Sequence, residues 1–155
     1  MKYFISFLMI FWLVSCNSGY NRNENKKIVK DMLSEFLMAV EENDYDKLQK
    51  VVHEDFVIYE NGSVWDLTRF STELENFQNV EVKYKLRNLH TIVDENVAHL
   101  QFLNKGKFVY PDTTIVLDFI ESATFVRDES SSKWSLRFYH STHLKRDNNL
   151  KSNKK

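Results

Sequence analysis

Apolar residues fall along this chain in three rhythms. Phe4 to Val14 is an almost unbroken apolar run of eleven residues. From Lys26 the spacing opens to three and four, so that Ile28, Met32, Leu33, Phe36, Leu37 and Val40 share one face of a helix running to about Glu42. From Val80 it closes to two. Val80, Val82, Tyr84 and Leu86 alternate with Glu81, Lys83, Lys85 and Arg87, which predicts a strand with one packed and one wet face.

Polar punctuation divides these rhythms into elements. Asn43-Asp44 interrupts the first helix, and Asp44 can cap a second through Tyr45, Leu48, Val51 and Val52. His53-Glu54-Asp55 ends that helix, Phe56 to Tyr59 reads as a first strand, and Asn61-Gly62 as a turn into Ser63–Asp66. Thr68 can cap a third helix that carries Phe70, Leu74 and Phe77. Further extended runs cover Val97–Leu103, Gly106–Tyr110, Thr114–Arg127 and Lys133–Leu144, with breaks at Pro111-Asp112 and Asp128–Ser132. Helices first and long antiparallel strands after predict an α+β layer.

The opening run is too short for the ~20 residues of a membrane-spanning helix but suits a signal-peptide core. Leu13-Val14-Ser15-Cys16 follows it and resembles a bacterial lipobox, whose cysteine is lipidated and becomes the first mature residue. The expected organisation is a signal peptide over residues 1–15, a lipidated polar tether over 16–25, one domain over 26–145 and a basic disordered tail over 146–155. The expected location is the cell envelope, outside the cytoplasm. Asn17 after the cysteine leans toward an outer membrane where the host has one. Cys16 is the only cysteine, which excludes an internal disulfide, a cysteine nucleophile in the body and a thiolate zinc site. Twelve Phe and seven Tyr must then supply the core.

The whole-chain charge of −1 conceals a polarity. Lys145, Arg146, Lys151, Lys154 and Lys155 stand against Asp147 in the tail, so residues 17–144 carry about −6. A body of that sign argues against nucleic acid, whose phosphates need a basic stripe.

The order of elements resembles the nuclear transport factor 2-like superfamily, which includes ketosteroid isomerase and the SnoaL-like polyketide cyclases. Three phrases carry the resemblance: Phe36-x-x-Ala39-x-x-x-x-Asn43-Asp44-Tyr45-x-x-Leu48, His53-Glu54-Asp55-Phe56 ahead of Gly62, and the closing Trp134–Thr142 with its His140-Ser141. The resemblance implies a cone-shaped, strongly curved antiparallel sheet packed against three N-terminal helices around a mostly apolar pocket. Members of that superfamily catalyse, bind or dimerise there, so fold alone does not choose a role.

Strict alternation places Trp134, Leu136, Phe138 and His140 on the pocket face of the last strand, and Ile115, Leu117, Phe119, Glu121, Ala123 and Phe125 on that of the strand before. If Phe125 faces Trp134, Glu121 pairs with Phe138 and lies diagonal to His140, within reach of long side chains. Such a pair can serve as an acid–base couple, hydrogen-bond a ligand, or hold the rim together. Tyr59, Trp65, Tyr84, Asn88, His90 and Phe102 join Phe119 and Phe138 as pocket candidates by face or by position in the superfamily. The Asp base and Tyr/Asp oxyanion hole of ketosteroid isomerase find no counterpart. His140 and His143 point to opposite faces, and His53, His90 and His99 have no spacing that gathers metal ligands. No nucleophile elbow or phosphate loop occurs, and no cofactor is expected.

The leading expectation is a lipid-anchored domain that binds a small apolar or amphipathic molecule. The alternatives are a cofactor-independent isomerase, cyclase or dehydratase using His140 and Glu121, and a module that forms a homodimer through the outer sheet face around Arg137, Tyr139, Val116 and Ile120.

Overall fold

A computed structural model describes residues 21–145. The proposed signal peptide, Cys16, the first part of the tether and the basic tail lie outside the described residues. Among those described, three helices and six strands follow in the order α1 (Arg22–Glu42), α2 (Tyr45–Val51), β1 (Val52–Glu60), β2 (Ser63–Asp66), α3 (Leu67–Glu75), β3 (Glu81–Val93), β4 (Val97–Val109), β5 (Thr114–Arg127) and β6 (Trp134–His143). No helix among them is long and apolar enough to cross a membrane.

Helix α1 starts earlier than the apolar period suggests. Asn21 caps it by accepting from the backbone N–H groups of Asn23 and Glu24 at 3.2 Å, so residues 21–25, expected in a tether, belong to the helix or its cap. Polar side chains there hide the helix from a hydrophobic pattern, yet one of them is structural: Asn25 Oδ1 accepts from the buried Trp134 Nε1 at 3.0 Å. The helix ends at Asn43, whose left-handed φ of 51° returns its N–H to Ala39 and Val40. Asp44 then caps α2 through the N–H of Lys47, as its position predicts.

Strand β1 begins at once after Val51, so Val52 to Asp55 are extended rather than the end of a helix. Asn61 and Gly62 both have positive φ (47° and 90°), the signature of a type I′ turn, and join β1 to β2 in a hairpin with Glu60 opposite Ser63. Asp66, two residues before Thr68, caps α3 by accepting from Arg69 N at 2.7 Å.

The sheet order is β2-β1-β6-β5-β4-β3, and the sheet curves without closing. All neighbours are antiparallel except β1 and β6, which run parallel. The two runs expected at 97–103 and 106–110 form the single strand β4, because Gly106 continues it. A Cβ at Gly106 would meet a Phe108 ring carbon at 2.8 Å, so glycine here lets two rings lie against the backbone.

Helix α1 packs against β3 and β6, and its Val29, Leu33, Phe36 and Val40 join Leu100, Phe125 and Leu136 of the sheet in one buried core. The Phe36 ring meets Tyr139 at 4.9 Å and also packs with Phe56 and Phe70. At the far end of α1, Glu41 accepts from Tyr84 N at 2.6 Å and Lys83 Nζ at 3.1 Å, which satisfies a backbone donor on edge strand β3.

Candidate functional site

Two bulges decide which side chains face the concave side. Phe138 pairs with Thr124 but Leu136 with Phe125, so Arg137 is an extra residue in β6. Trp134 and Leu136 point inward before it, and Tyr139 and Ser141 point inward after it. A similar irregularity between Arg87 and His90, where Asn88 has a φ of 53°, moves the inward set of β3 from Tyr84 and Leu86 to Leu89, Thr91 and Val93.

The result is a row of polar side chains across the inner sheet. Glu60 stands opposite Ser141, Ser141 opposite Glu121, and Glu121 opposite Phe102. Tyr139 and Asn104 are diagonal to Glu121, within the ~7–8 Å typical of such neighbours. The type I′ turn closes this end: Asn61 N donates to Ser141 O at 3.2 Å, His143 N donates to Asn61 Oδ1 at 3.0 Å, and Asn61 Nδ2 donates to Glu60 Oε1 at 2.6 Å.

Glu121 is only 5% exposed, and its Oε2 has no hydrogen-bond partner of proper geometry. The Tyr139 hydroxyl and both amide atoms of Asn104 are likewise buried without partners. Burial pushes the Glu121 carboxyl up to about 7; nearby Tyr139, Asn104 and Ser141 moderate the rise, and the Glu60 charge adds to it. Glu60 is raised by burial too, with Ser141 and Asn61 pulling the other way. Burial, followed by the Glu121 charge, drives the Tyr84 and Tyr139 phenols upward, so both stay protonated donors.

This row forms one end of a cavity of about 440 Å³. Phe36, Leu37 and Val40 of α1, Phe70 and Leu74 of α3, Trp65, Val82, Tyr84, Phe108 and Phe119 supply its apolar wall. Phe77 and Ile115, both more than a third exposed, stand at its rim. The arrangement can hold an apolar body and present carboxyl, hydroxyl and phenol groups to a polar end. Among the described residues, no three His, Cys, Asp or Glu side chains gather to hold a metal ion.

Of the residues singled out from the sequence, Glu121, Trp65, Tyr84 and Phe119 line the cavity. Phe102 is buried in the core with its ring 6.2 Å from that of Tyr139. The bulge at Arg137 turns Phe138 and His140 to the opposite face, which corrects both the expected pairing of Glu121 with Phe138 and its proximity to His140. There His140 Nε2 lies 2.9 Å from Thr142 Oγ1, and Phe138 meets the Tyr59 ring edge-on at 5.1 Å. Asn88 and His90 are exposed beyond the β3 bulge. Tyr139, expected on the outer face, is inside for the same reason as Ser141.

Sequence reading missed Glu60, Asn61, Asn104, Tyr139 and Ser141. Two carried a signal: Asn104 is the odd polar member of the Leu100–Phe102–Phe108 face, and Glu60 that of Phe56–Ile58. Nothing in the alternation announces the bulge that brings in the last two.

Residues 29–143 match the SnoaL-like domain family. The chain belongs to that family. Solved structures similar to this SnoaL-like domain agree with its fold. A candidate dehydratase of the NTF2-like family from Streptomyces avermitilis has a TM-score of 0.71 at 14% identity, with 81% of this chain and 99% of that chain covered. An NTF2-like protein from Cytophaga hutchinsonii gives 0.66 at 13% identity, covering 80% and 99%. The CaMKII hub of S. rosetta gives 0.67 at 21% identity, covering 77% and 96%. Among curated proteins, none matches this SnoaL-like domain.

Proposed function

We propose that this SnoaL-like domain binds a small apolar or amphipathic molecule outside the cytoplasm while a lipid on Cys16 tethers it to the envelope membrane. The observation that carries the binding role is the buried, unpartnered Glu121 Oε2 at the polar end of a cavity walled by aromatic rings. A folded domain keeps a carboxyl in such a place at a cost, and a ligand that hydrogen-bonds it offsets that cost. A crystal structure of the protein purified from its native host tests this. Elongated density ending on Glu121 supports the role, and a cavity closed by repacked rings contradicts it. The tether rests on the lipobox-like Leu13–Cys16; Cys16→Ser abolishes incorporation of labelled palmitate and releases the protein from the membrane fraction if it is correct.

A second reading is cofactor-independent acid–base chemistry. One observation favours it: a carboxyl held near neutrality beside phenolic donors is poised to exchange a proton. The pair is then Glu121 with Tyr139 or Glu60, since His140 lies on the other face. A homodimer through that outer face would use the half-exposed Val116 and Ile120, with Arg137 at 3.3 Å from Asp55, and would leave the cavity untouched.

A further inference from the structure

Every charged side chain of the cavity lining is an acid. Glu60, Glu73 and Glu121 line it, and among the described residues no Lys, Arg or His is part of the lining. Glu73 is ion-paired with Arg69 one turn away on α3, which leaves Glu60 and Glu121 as the carboxyls with no cation beside them. Nine aromatic side chains make up much of the remaining wall. Glu121 and Tyr139 line this space, and Glu121 Oε2 and the Tyr139 hydroxyl are buried with no hydrogen-bond partner of proper geometry. Two carboxyls in one row with no countercharge repel an anionic ligand. A neutral alcohol leaves them uncompensated. An ammonium group brings three donors and a positive charge to the acceptors of Glu121, Ser141 and Tyr139, and aromatic faces attract the same charge.

We infer that the ligand of this cavity is an amphipathic organic amine, its ammonium held in the Glu60–Ser141–Glu121 row and its apolar body among the rings. This rests on the reading of the cavity as a ligand site. The groups that face Glu121 are Tyr139 and Ser141 from β6, Glu60 from β1, Asn104 from β4 and Tyr84 from β3. Farther along, Glu73 of α3 is neutralised by Arg69, and Glu41 of α1 by Lys83 while it holds the Tyr84 N–H. Among the described residues, no cation acts on Glu121 itself. Protonated Glu121 loses its attraction for an ammonium, so amine affinity rises as pH passes upward through neutrality.

Calorimetric titration of the full-length chain with phenethylamine, 2-phenylethanol and phenylacetate tests the inference. The amine should bind at least about tenfold tighter than the alcohol at about pH 8, and lose about tenfold on going to about pH 6. Glu121→Gln should erase the amine's advantage over the alcohol at about pH 8. Equal binding of amine and alcohol, or tightest binding of phenylacetate, overturns the inference and leaves the ligand cavity standing. Failure of all three probes to bind overturns both. Should Glu121→Gln not fold, the pH profile of the unaltered chain decides: a flat or falling amine affinity toward high pH sinks the inference.

Discussion

Glu121 and Ser141 stand directly opposite each other on the inner faces of β5 and β6, although strict alternation along β6 puts Ser141 outside. One extra residue, Arg137, makes the difference. It leaves Glu121 among hydroxyls and a second carboxyl, away from any imidazole, and that environment sets how the protein responds to pH.

The folded state holds the Glu121 proton up to about 7, against an ordinary value of 4.5. A carboxyl raised on folding contributes its full stability below the unfolded pKa, and loses it as pH rises through the folded value. The protein should therefore weaken between about pH 4.5 and pH 8, and Glu60, raised in the same direction, adds to the slope. Glu121→Gln stays neutral throughout. Urea denaturation should find it about as stable as the parent near pH 4 and more stable near pH 8, by at most about 3 kcal/mol. A constant difference at both pH values would contradict the burial of a titrating carboxyl.

Trp134 Nε1 and Asn25 Oδ1 tie the start of β6 to the first turns of α1. Trp134→Phe removes the donor and leaves a buried acceptor unsatisfied, which should cost about 1–3 kcal/mol in addition to lost packing. Asn25→Ala in the Trp134→Phe background should cost much less than in the parent. Additive effects in that double-mutant cycle would show that the bond contributes nothing.

Two glycines should fail for different reasons. Gly62 has a φ of 90°, and a Cβ added there would meet nothing within 4 Å, so Gly62→Ala adds backbone strain alone, about 1–2 kcal/mol. Gly106 lacks a left-handed φ but faces the Phe108 and Phe119 rings at 2.8 and 3.1 Å, so Gly106→Ala must displace cavity-lining rings. Both lower the thermal midpoint, and only Gly106→Ala should also alter ligand binding.

How much of this was legible depends on whether a residue's face follows from its neighbours. The α+β layering, the Asp44 cap, the Asn61-Gly62 turn and the inward face of β5 are local signals of period, capping and turn chemistry, and they hold. The polar first turns of α1 carry no apolar period, so the helix is visible only once Trp134 reaches Asn25. A bulge is a property of two strands together. Because the side-chain period is two, one extra residue exchanges the faces of everything beyond it. That single event removes Phe138 and His140 from the cavity and delivers Tyr139 and Ser141 to it.

The proposed function requires a small molecule with an apolar body to occupy the space between α1, α3 and the sheet. Fluorescence titration with N-phenyl-1-naphthylamine, an uncharged apolar probe, tests it most directly when the parent is compared with Leu117→Trp, which fills the cavity from its partly exposed side. The parent should bind one probe saturably, and Leu117→Trp with an unchanged thermal midpoint should bind it at least about tenfold more weakly. Unsaturable binding, or equal affinity in the two proteins, would contradict the proposed function.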